Sequence, residues 1–264
     1  MAGSIDTPVR LFESESNLGQ FSKKIWFYQE VESTNDVLAQ LAEDGAPHGT
    51  VVVANAQTAG RGRHGNSWYS PAGTGLYLSA LVRTTSSPVL TLAAGVAVAE
   101  ALRKVTSLDA TLKWPNDVMV VSTGQPRKVA GILTEASTEQ NIVDRVIVGI
   151  GINVGEAIWP VGLTGLAGSV EGLTGQTVDR ELLLLELLVS FSSLCAEVES
   201  GRVGNLLARW QTLAPSCRGT VVEWSVGAVR RRGITEGVDT DGALLVRIGS
   251  SLERLVGGEI QHIR

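Results

Sequence analysis

The chain has 264 residues, of which 44% are hydrophobic, and its 22 Lys and Arg residues against 27 Asp and Glu residues give a formal net charge of −5. This length and apolar content suffice for one sizeable core and a second, smaller one, so we expect two unequal domains. The acidic balance makes counterion release a poor driving force and argues against a nucleic-acid-binding protein.

Cysteine usage and hydropathy indicate a cytoplasmic protein. Cys195 and Cys217 are the only cysteines, and their spacing matches neither a metal site nor a redox motif. The N-terminus shows no basic head followed by an apolar run. The apolar stretch 182–189 contains Glu186 and is too short to span a bilayer, so no membrane segment is predicted.

Strands and helices alternate in the first part of the chain. Ser33-Thr34-Asn35-Asp36 has the composition of a helix start. Pro88 suits the first turn of a later helix, whose small residues permit close packing on a sheet. The predicted elements are, in order, a tail at 1–24, a strand at 25–31, a helix that ends before Gly45, strands at 50–54 and 75–82, and a helix at 88–105.

The middle of the chain predicts three strands in succession, at 110–121 with an interruption at Pro115, at 128–134 and at 145–154. No helical pattern separates them, so we predict an α+β fold with a mixed or antiparallel sheet and helices on one side. The string Gly149-Ile150-Gly151-Ile152-Asn153 lies within a strand and opens no helix, which excludes a Rossmann dinucleotide site.

The last part of the chain predicts two helices followed by a small SH3-like β-barrel. Turn signals such as Asp239-Thr240-Asp241-Gly242 separate the short strands of this barrel. The predicted divisions are helices at 179–199 and 202–213, a boundary at 214–216, strands at 221–224, 230–238 and 243–248, and hence a main domain at 25–214 and a C-terminal domain at 215–264.

Residues 57–68 form the first chemically dense segment. Arg61, Arg63 and His64 bring positive charge to a loop whose glycines allow backbone N–H groups to face a ligand. Arginine presents a planar fork of donors that matches carboxylate and phosphate, so the loop predicts an anion site. A flexible nucleic-acid loop or a solvated turn explains the segment alone equally well, but the two flanking strands favour a loop mounted on a sheet.

Lys113-Trp114-Pro115-Asn116-Asp117 gathers an ammonium, an amide and a carboxylate within five residues. Asp117 offers the hard oxygen ligand that Mg²⁺ prefers, and Lys113 offers a positive charge for a phosphate. A local ion pair between Lys113 and Asp117 is the competing interpretation, and for this motif alone it is the favoured one.

Lys128 begins a strand in which Gly131 permits close approach to the backbone. On the core-facing side of a sheet, a lysine requires a partner or a ligand cavity, whereas on the outer side it is a routine solvated charge. The sequence pattern leaves both interpretations open.

Taken together, these motifs resemble those of the biotin protein ligases, in their order and with suitable gaps. The resemblance runs from about residue 25 to the C-terminus. It is carried by residues 33–35, 57–65, Trp68, 113–117, 128–133 and 149–153.

The resemblance implies an enzyme with a class II synthetase-like catalytic domain that forms biotinyl-5′-AMP from biotin and ATP, with Mg²⁺ held by Asp117. The enzyme then transfers biotin to a lysine of a biotin carboxyl carrier protein domain. The catalytic residues implied are Arg61, Arg63, Lys113, Asp117 and Lys128. Those implied at biotin are Ser33, Thr34, Asn35, Gln57, Gly60, Arg61, Gly62, Arg63, Lys128 and Gly131. Those implied at the nucleotide are Arg63, Trp68, Lys113, Asn116, Asp117, Lys128 and Asn153.

Some of these residues also have a purely structural interpretation. Ser33 or Thr34 can cap the helix that follows, and Trp68 can anchor the return of the loop. At the level of function, a lipoate or octanoate ligase shares the implied fold and lysine but is expected to lack the Gly-Arg-Gly-Arg-His-Gly loop. A non-catalytic RNA- or nucleotide-binding module is the rival from a different class, and the acidic net charge counts against it.

Expectations about partners follow from the same resemblance. Family members that double as repressors carry a winged helix-turn-helix before the catalytic domain, whereas about 24 residues precede the first strand here, so we expect no DNA binding. The oligomeric state stays open, with a homodimer formed through sheet edges as one expectation.

Overall fold

The computed structural model describes residues 16–22, 24–84, 87–139, 142–227, 229–258 and 260–262. Most of the predicted tail at 1–24 therefore lies outside the described residues. Within it, 3-10 turns at Ser16–Ser22 place Leu18 and Phe21 in the core at 0% exposure. Phe21 stacks on Phe191 with 5.3 Å between the ring centroids. This short segment is thus packed onto the fold.

Seven strands form the larger sheet of the described chain. They are β1 (Ile25–Tyr28), β2 (Val51–Ala54), β3 (Gly75–Val82), β4 (Thr111–Lys113), β5 (Asp117–Ser122), β6 (Gln125–Glu139) and β7 (Ile142–Asn153). Their order is β1-β2-β3-β7-β6-β5-β4, in which β1 and β2 are parallel and the other neighbours are antiparallel. The prediction of a mixed sheet is confirmed. The segment predicted as one strand interrupted at Pro115 is a hairpin of two strands.

Five helices accompany this sheet within the residues listed above. They are α1 (Thr34–Glu43), α2 (Ser87–Val105), α3 (Val170–Thr174), α4 (Arg180–Glu199) and α5 (Val203–Leu213). Asp179 caps α4, because its Oδ1 accepts from the backbone N of Glu181 at 2.9 Å and of Leu182 at 3.1 Å. In the described ranges, no helix combines the length and hydropathy that a bilayer-spanning segment requires.

Helices cover both faces of the larger sheet. Val51 and Val53 of β2 belong to the main core with residues of α2, α4 and α5, whereas Val52 packs with Leu38 of α1 in a second cluster. Because side chains alternate along a strand, α1 lies on the face opposite to the other three helices. The prediction of helices on one side is therefore right for α2, α4 and α5 and wrong for α1. All four residues of β2 are buried, as a strand covered on both faces requires.

The C-terminal region forms a second, five-stranded antiparallel sheet. Its strands are β8 (Arg218–Val226), β9 (Val229–Val238), β10 (Leu244–Ile248), β11 (Ser251–Leu255) and β12 (Gln261–His262). They follow the order β11-β10-β9-β8-β12, so the pairing among the described residues leaves β11 and β12 as open edges. Val222, Trp224 and Val246 of this sheet join the main core, which is therefore continuous between the two sheets.

Candidate active site

The segment predicted as an anion loop, residues 57–68, turns back on itself beside the larger sheet. Gly62 N donates to Asn66 O at 2.6 Å, and Trp68 N donates to Gly60 O at 2.8 Å. The tip is a 3-10 turn at Arg63–Gly65. Gly60 is buried, and a Cβ there would lie 2.6 Å from the carbonyl oxygen of Trp68. Glycine at this position therefore permits close packing of the two arms of the loop.

Gln57 joins the start of this loop to α1. Its Oε1 accepts from Thr34 N at 2.9 Å and from Thr34 Oγ1 at 3.2 Å, and its Nε2 donates to Ser70 Oγ at 2.9 Å. Ser79 Oγ of β3 lies 2.7 Å from Thr34 Oγ1 and 2.6 Å from Asn35 Oδ1. These side chains form a polar floor whose donors and acceptors are held in fixed positions.

Ser33 occupies the N-cap position of α1, but its side chain makes no capping hydrogen bond. The capping interpretation is therefore not realised for Ser33, and the Gln57 side chain satisfies Thr34 N instead. Ser33 and Asn35 are buried at 3% and 4% exposure and line the cleft described below. Gly149 of β7 makes room for Asn35, because a Cβ at Gly149 would lie 2.4 Å from Asn35 Oδ1.

Arg61 faces two carboxylates. Its Nη2 donates to Glu135 Oε2 at 2.9 Å and to Oε1 at 3.0 Å, and its Nη1 donates to the Asp36 carboxylate. The hydrogen bond to Asp36 is the largest cause of the raised pKa of Arg61, ahead of the opposing effect of burial and the attraction of Glu135. The donors that the sequence predicted for an anionic ligand are therefore engaged by the protein itself.

Arg63 reaches two other regions of the chain. Its Nη1 lies 3.4 Å from Asn116 Oδ1 in the turn between β4 and β5, and 3.4 Å from Gly258 O in the C-terminal region. These contacts span 53 and 195 residues of sequence. Asn116 is fixed in turn on β6, because its Nδ2 donates to Ile132 O at 2.9 Å and its own carbonyl accepts from Ile132 N at 3.0 Å. The tip of the loop thus contacts the β4–β5 turn on one side and the C-terminal region on the other.

Lys128 and Asp117 form the central ion pair of the site. Lys128 Nζ lies 2.5 Å from Asp117 Oδ1, and both side chains are mostly buried. The favoured interpretation of the 113–117 motif as a local Lys113–Asp117 pair is therefore wrong: in the part of the chain that the structure describes, Asp117 pairs across the β5–β6 hairpin with Lys128. Lys128 lines the cleft and has a carboxylate partner. Of the two interpretations left open by the sequence, it therefore matches the lysine that requires a partner or a ligand cavity, not the solvated one.

Trp68 lies over two glycines that are direct partners in the sheet, Gly131 of β6 and Gly151 of β7. A Cβ would lie 3.0 Å from Trp68 Cζ3 at Gly131 and 2.3 Å from Trp68 Nε1 at Gly151. Lys128 Nζ is 5.3 Å from the centroid of the indole ring, a cation–π distance. Trp68 Nε1 is buried and has no hydrogen-bond partner among the described residues. Such an unpaired donor is costly and suits a site that a ligand completes.

A cleft of about 360 Å³ brings most of the predicted site residues together. Gly60 and Asn153 are not part of its lining. Asn153 Nδ2 donates to Gly168 O at 3.2 Å and to Lys128 O at 3.3 Å, so it holds the backbone of the Lys128 strand. A ligand contact for either residue stays a prediction. The predicted residues that line the cleft are Ser33, Thr34, Asn35, Gln57, Arg61, Gly62, Arg63, Trp68, Lys113, Asn116, Asp117, Lys128 and Gly131.

The site contains several residues that the sequence analysis did not predict. Gly258 and Ile260 line the cleft from the C-terminal region, and no local pattern could have indicated them. Asp36 and Glu135 hold Arg61 from elements distant in sequence. Ser79 is a polar residue within an apolar eight-residue strand that is buried throughout, and this pattern is a local indication of a functional role.

The single carboxylate in the described part of the cleft suits a metal ion that arrives bound to a substrate. Within the described ranges, no group of three or more His, Cys, Asp or Glu residues could hold a metal ion. Of the carboxylates that the structure describes, Asp117 alone belongs to the lining of the cleft. Mg²⁺ keeps several waters and is commonly held by one or two carboxylates together with substrate phosphates, so a single carboxylate is sufficient.

Comparisons with known proteins show which family this chain resembles. Residues 26–153 match the model of the Biotin/lipoate A/B protein ligase family. A solved biotin protein ligase from Aquifex aeolicus in complex with biotin and ATP is 31% identical, with a TM-score of 0.78 over 92% of this chain and 99% of that chain. The biotin--[acetyl-CoA-carboxylase] ligase of Mycobacterium tuberculosis is 32% identical over 243 residues, 88% of this chain and 86% of its own length. The bifunctional ligase/repressor BirA of Bacillus subtilis is 30% identical over 267 residues, 97% of this chain and 81% of its own length.

The family model defines the class of this chain as the Biotin/lipoate A/B protein ligases. The relatives share 30% to 32% identity with this chain over more than four fifths of their length. The chain therefore belongs to the biotin protein ligases. This confirms the resemblance noted in the sequence.

Proposed function

We propose that this cleft catalyses both steps of ATP-dependent protein biotinylation. Biotin and ATP form biotinyl-5′-AMP, and biotin then passes to one lysine of a biotin carboxyl carrier protein domain. The observation that carries the proposal is the convergence of Arg63, Asp117 and Lys128 on a cleft whose floor is built by Thr34 and Gln57.

The polar floor suits the ring of biotin. A ureido group presents both N–H donors and a carbonyl acceptor, and the floor offers fixed partners of both kinds from Ser33, Thr34 and Gln57. Gly62 also lines the cleft and allows the ligand to approach the backbone, whereas Gly131 makes room for the side chains of Trp68 and Lys128. The side chain of biotin would then lead its carboxylate toward Lys128.

The first step brings two anions together. The carboxylate oxygen of biotin attacks the α-phosphorus of ATP, a new O–P bond forms, and pyrophosphate leaves with the electrons of the broken P–O bond. Lys128 offsets the negative charge that accumulates in the transition state, and Arg63 at the loop tip covers the adenylate once it has formed. Asp117 holds Lys128 in place before substrates arrive, which avoids reorganisation of the lysine during the reaction.

The nucleotide phosphates lie, in this proposal, near Lys113 and Asn116 at the turn between β4 and β5. Mg²⁺ would be held by Asp117 with phosphate oxygens, and it would supply charge neutralisation for the leaving pyrophosphate. Trp68 supports the adenylate, because its ring lies over Gly131 and Gly151 and lines the cleft.

The second step consumes the mixed anhydride. The carrier lysine attacks the carbonyl carbon of biotinyl-AMP as a neutral amine, an amide bond forms, and AMP leaves as the acyl–oxygen bond breaks. A free lysine has a pKa of about 10.4, so a proton must leave the amine before or during the attack. Bulk water would hydrolyse the anhydride, and the loop at 60–65 therefore has to exclude solvent until the carrier arrives.

The segment between β11 and β12 contributes Gly258 and Ile260 to the lining of the cleft. We propose that the C-terminal sheet, although open at β11 and β12, has an SH3-like topology, and that the division near residue 215 separates it from the catalytic domain. Homodimer formation, absence of DNA binding and a cytoplasmic location also stay predictions. Light scattering with and without biotinyl-AMP tests the dimer, and gel-shift assays with operator-length DNA test DNA binding.

A substrate panel tests the proposed function. The purified protein is incubated with ATP, Mg²⁺ and either biotin, lipoate or octanoate, and pyrophosphate release is measured together with the mass of a carrier domain. We expect pyrophosphate release and a mass increase of the carrier only with biotin. Release with lipoate or octanoate at a comparable rate would assign the cleft to a different acid, and release without modification of the carrier would remove the second step.

A further inference from the structure

The glycine loop at 60–65 is held to the domain by one guanidinium between two carboxylates. Arg61 Nη2 contacts both oxygens of Glu135 on β6, at 2.9 Å and 3.0 Å, and Arg61 Nη1 contacts Asp36 in the first turn of α1. The loop is therefore bound to two separate elements, because Arg61 forms ion pairs with a carboxylate of α1 and a carboxylate of β6.

The same contacts reach the polar floor of the cleft. Glu135 Oε2 also accepts from Asn35 Nδ2 at 2.5 Å, and Asn35 Oδ1 lies 2.6 Å from Ser79 Oγ. Ser79 Oγ in turn lies 2.7 Å from Thr34 Oγ1. A continuous series of hydrogen bonds thus connects the guanidinium of the loop with the residues proposed to recognise the biotin ring. Networks of this kind couple the positions of their members.

We propose that Asp36 and Glu135 are positioning residues that act through Arg61 to hold the glycine loop closed, and that they set how long biotinyl-AMP is retained. The identity of the retained ligand rests on the proposed function, whereas the attachment of the loop through Arg61, Asp36 and Glu135 does not. In this assignment Arg61 stabilises the closed loop, and Arg63 and Lys128 are the cations that face the ligand.

The exposure of the three charged side chains sets how much each ion pair can slow the opening of the loop. The side chains of Arg61, Asp36 and Glu135 are 38%, 51% and 43% exposed, so solvent screens each ion pair. Loss of one such pair is expected to raise the rate of loop opening about threefold to fivefold. Loss of both is expected to raise it more than either single change, because the two carboxylates share one arginine.

Two measurements on the full chain test the proposal. The variants are Asp36→Asn and Glu135→Gln, which keep the size of each side chain and remove its charge. The matched control is Glu43→Gln, because Glu43 lies on the same helix α1 and pairs with Arg145 at 3.3 Å, away from the loop. The first measurement is the rate of trypsin cleavage after Arg61 or Arg63, and the second is the dissociation rate of biotinyl-AMP that is supplied preformed.

Cleavage and dissociation that are both about threefold to fivefold faster in the two variants, and unchanged in the control, would support the proposal. Unchanged cleavage would show that the carboxylates do not hold the loop, and this result needs no enzymatic activity. Faster cleavage with unchanged dissociation would overturn the role in retention. Failure of the wild-type protein to release pyrophosphate from ATP and biotin would contradict the proposed function, while the cleavage assay would still decide whether the loop is held.

Discussion

Lys128 Nζ lies 2.5 Å from Asp117 Oδ1 and 5.3 Å from the centroid of the Trp68 ring. The cation thus has a carboxylate on one side and an aromatic ring on another, and its position is defined without a bound anion. An ammonium held in this way is ready to receive the carboxylate and α-phosphate of the reacting substrates.

Removal of the Lys128 ammonium should greatly lower the rate of adenylate formation, the first step. We expect Lys128→Met to lower biotin-dependent exchange between ATP and pyrophosphate by about tenfold to a hundredfold, since each charge-assisted contact is worth roughly 1.5 to 3 kcal/mol. Lys104→Met is the matched control, because Lys104 pairs with Glu186 on the surface at 2.6 Å and is remote from the cleft. Equal exchange rates in the two variants would remove Lys128 from the mechanism.

Arg63 should affect retention more than synthesis. Its contacts with Asn116 Oδ1 and Gly258 O, both 3.4 Å long, join the loop tip to the β4–β5 turn and to the C-terminal region. We expect Arg63→Ala to keep pyrophosphate release but to lose biotinyl-AMP to solvent severalfold faster, measured as free adenylate after rapid filtration. Arg231→Ala is the control, since Arg231 pairs with Glu253 in the C-terminal sheet. The assignment fails if the adenylate stays bound as long as in wild type.

The elements that carry the chemistry could be predicted because their signals are local. Residues 57–65 gather arginines and glycines within a few positions, and residues 113–117 gather an ammonium, an amide and a carboxylate. Strand β3 is apolar apart from Ser79. The partners of those elements could not be predicted in the same way. Arg61 meets Glu135 across 74 residues, and Arg63 meets Gly258 across 195, so these contacts depend on the topology of the whole chain.

The fold shows the same division between local and distant information. Helix α2 was predicted from its own composition, whereas the position of α1 on the opposite face depends on how β1 and β2 pair. Strand β1 pairs with β2 in parallel. The antiparallel pairing predicted for residues 110–154 gives no information about this pair. The register of the β5–β6 hairpin places Asp117 beside Lys128, which overturns the local pair with Lys113.

The glycine partners beneath Trp68 should be intolerant of a side chain. A Cβ at Gly151 would lie 2.3 Å from Trp68 Nε1, so Gly151→Ala must displace the indole. We expect a loss of about 1 to 3 kcal/mol in the free energy of unfolding, measured by urea denaturation, together with weaker nucleotide binding. Gly204→Ala is the control, because Gly204 lies in α5 and a Cβ there would meet no described atom within 4 Å. Unaltered stability and nucleotide affinity in Gly151→Ala would show that the indole does not depend on this glycine.

Two buried tryptophans provide a test of how the C-terminal region is attached to the catalytic domain. Trp114 Nε1 donates to Gly242 O at 3.0 Å, whereas Trp224 Nε1 is buried without a hydrogen-bond partner among the described residues. Both side chains are nearly fully buried, at 4% and 6% exposure, so replacement by Phe leaves a similar cavity at each site. Only Trp114→Phe also leaves the Gly242 carbonyl without its partner.

We therefore expect Trp114→Phe to lower the free energy of unfolding by roughly 1 to 3 kcal/mol more than Trp224→Phe, the cost of an unsatisfied buried acceptor. Urea denaturation of both variants gives this difference, and the rate of pyrophosphate release shows whether it reaches the cleft. Because Trp114 lies in the turn that carries Asn116 and precedes Asp117, the release rate should also fall more in Trp114→Phe. Equal losses of stability in the two variants would mean that the hydrogen bond to Gly242 does not fasten the C-terminal region to this turn.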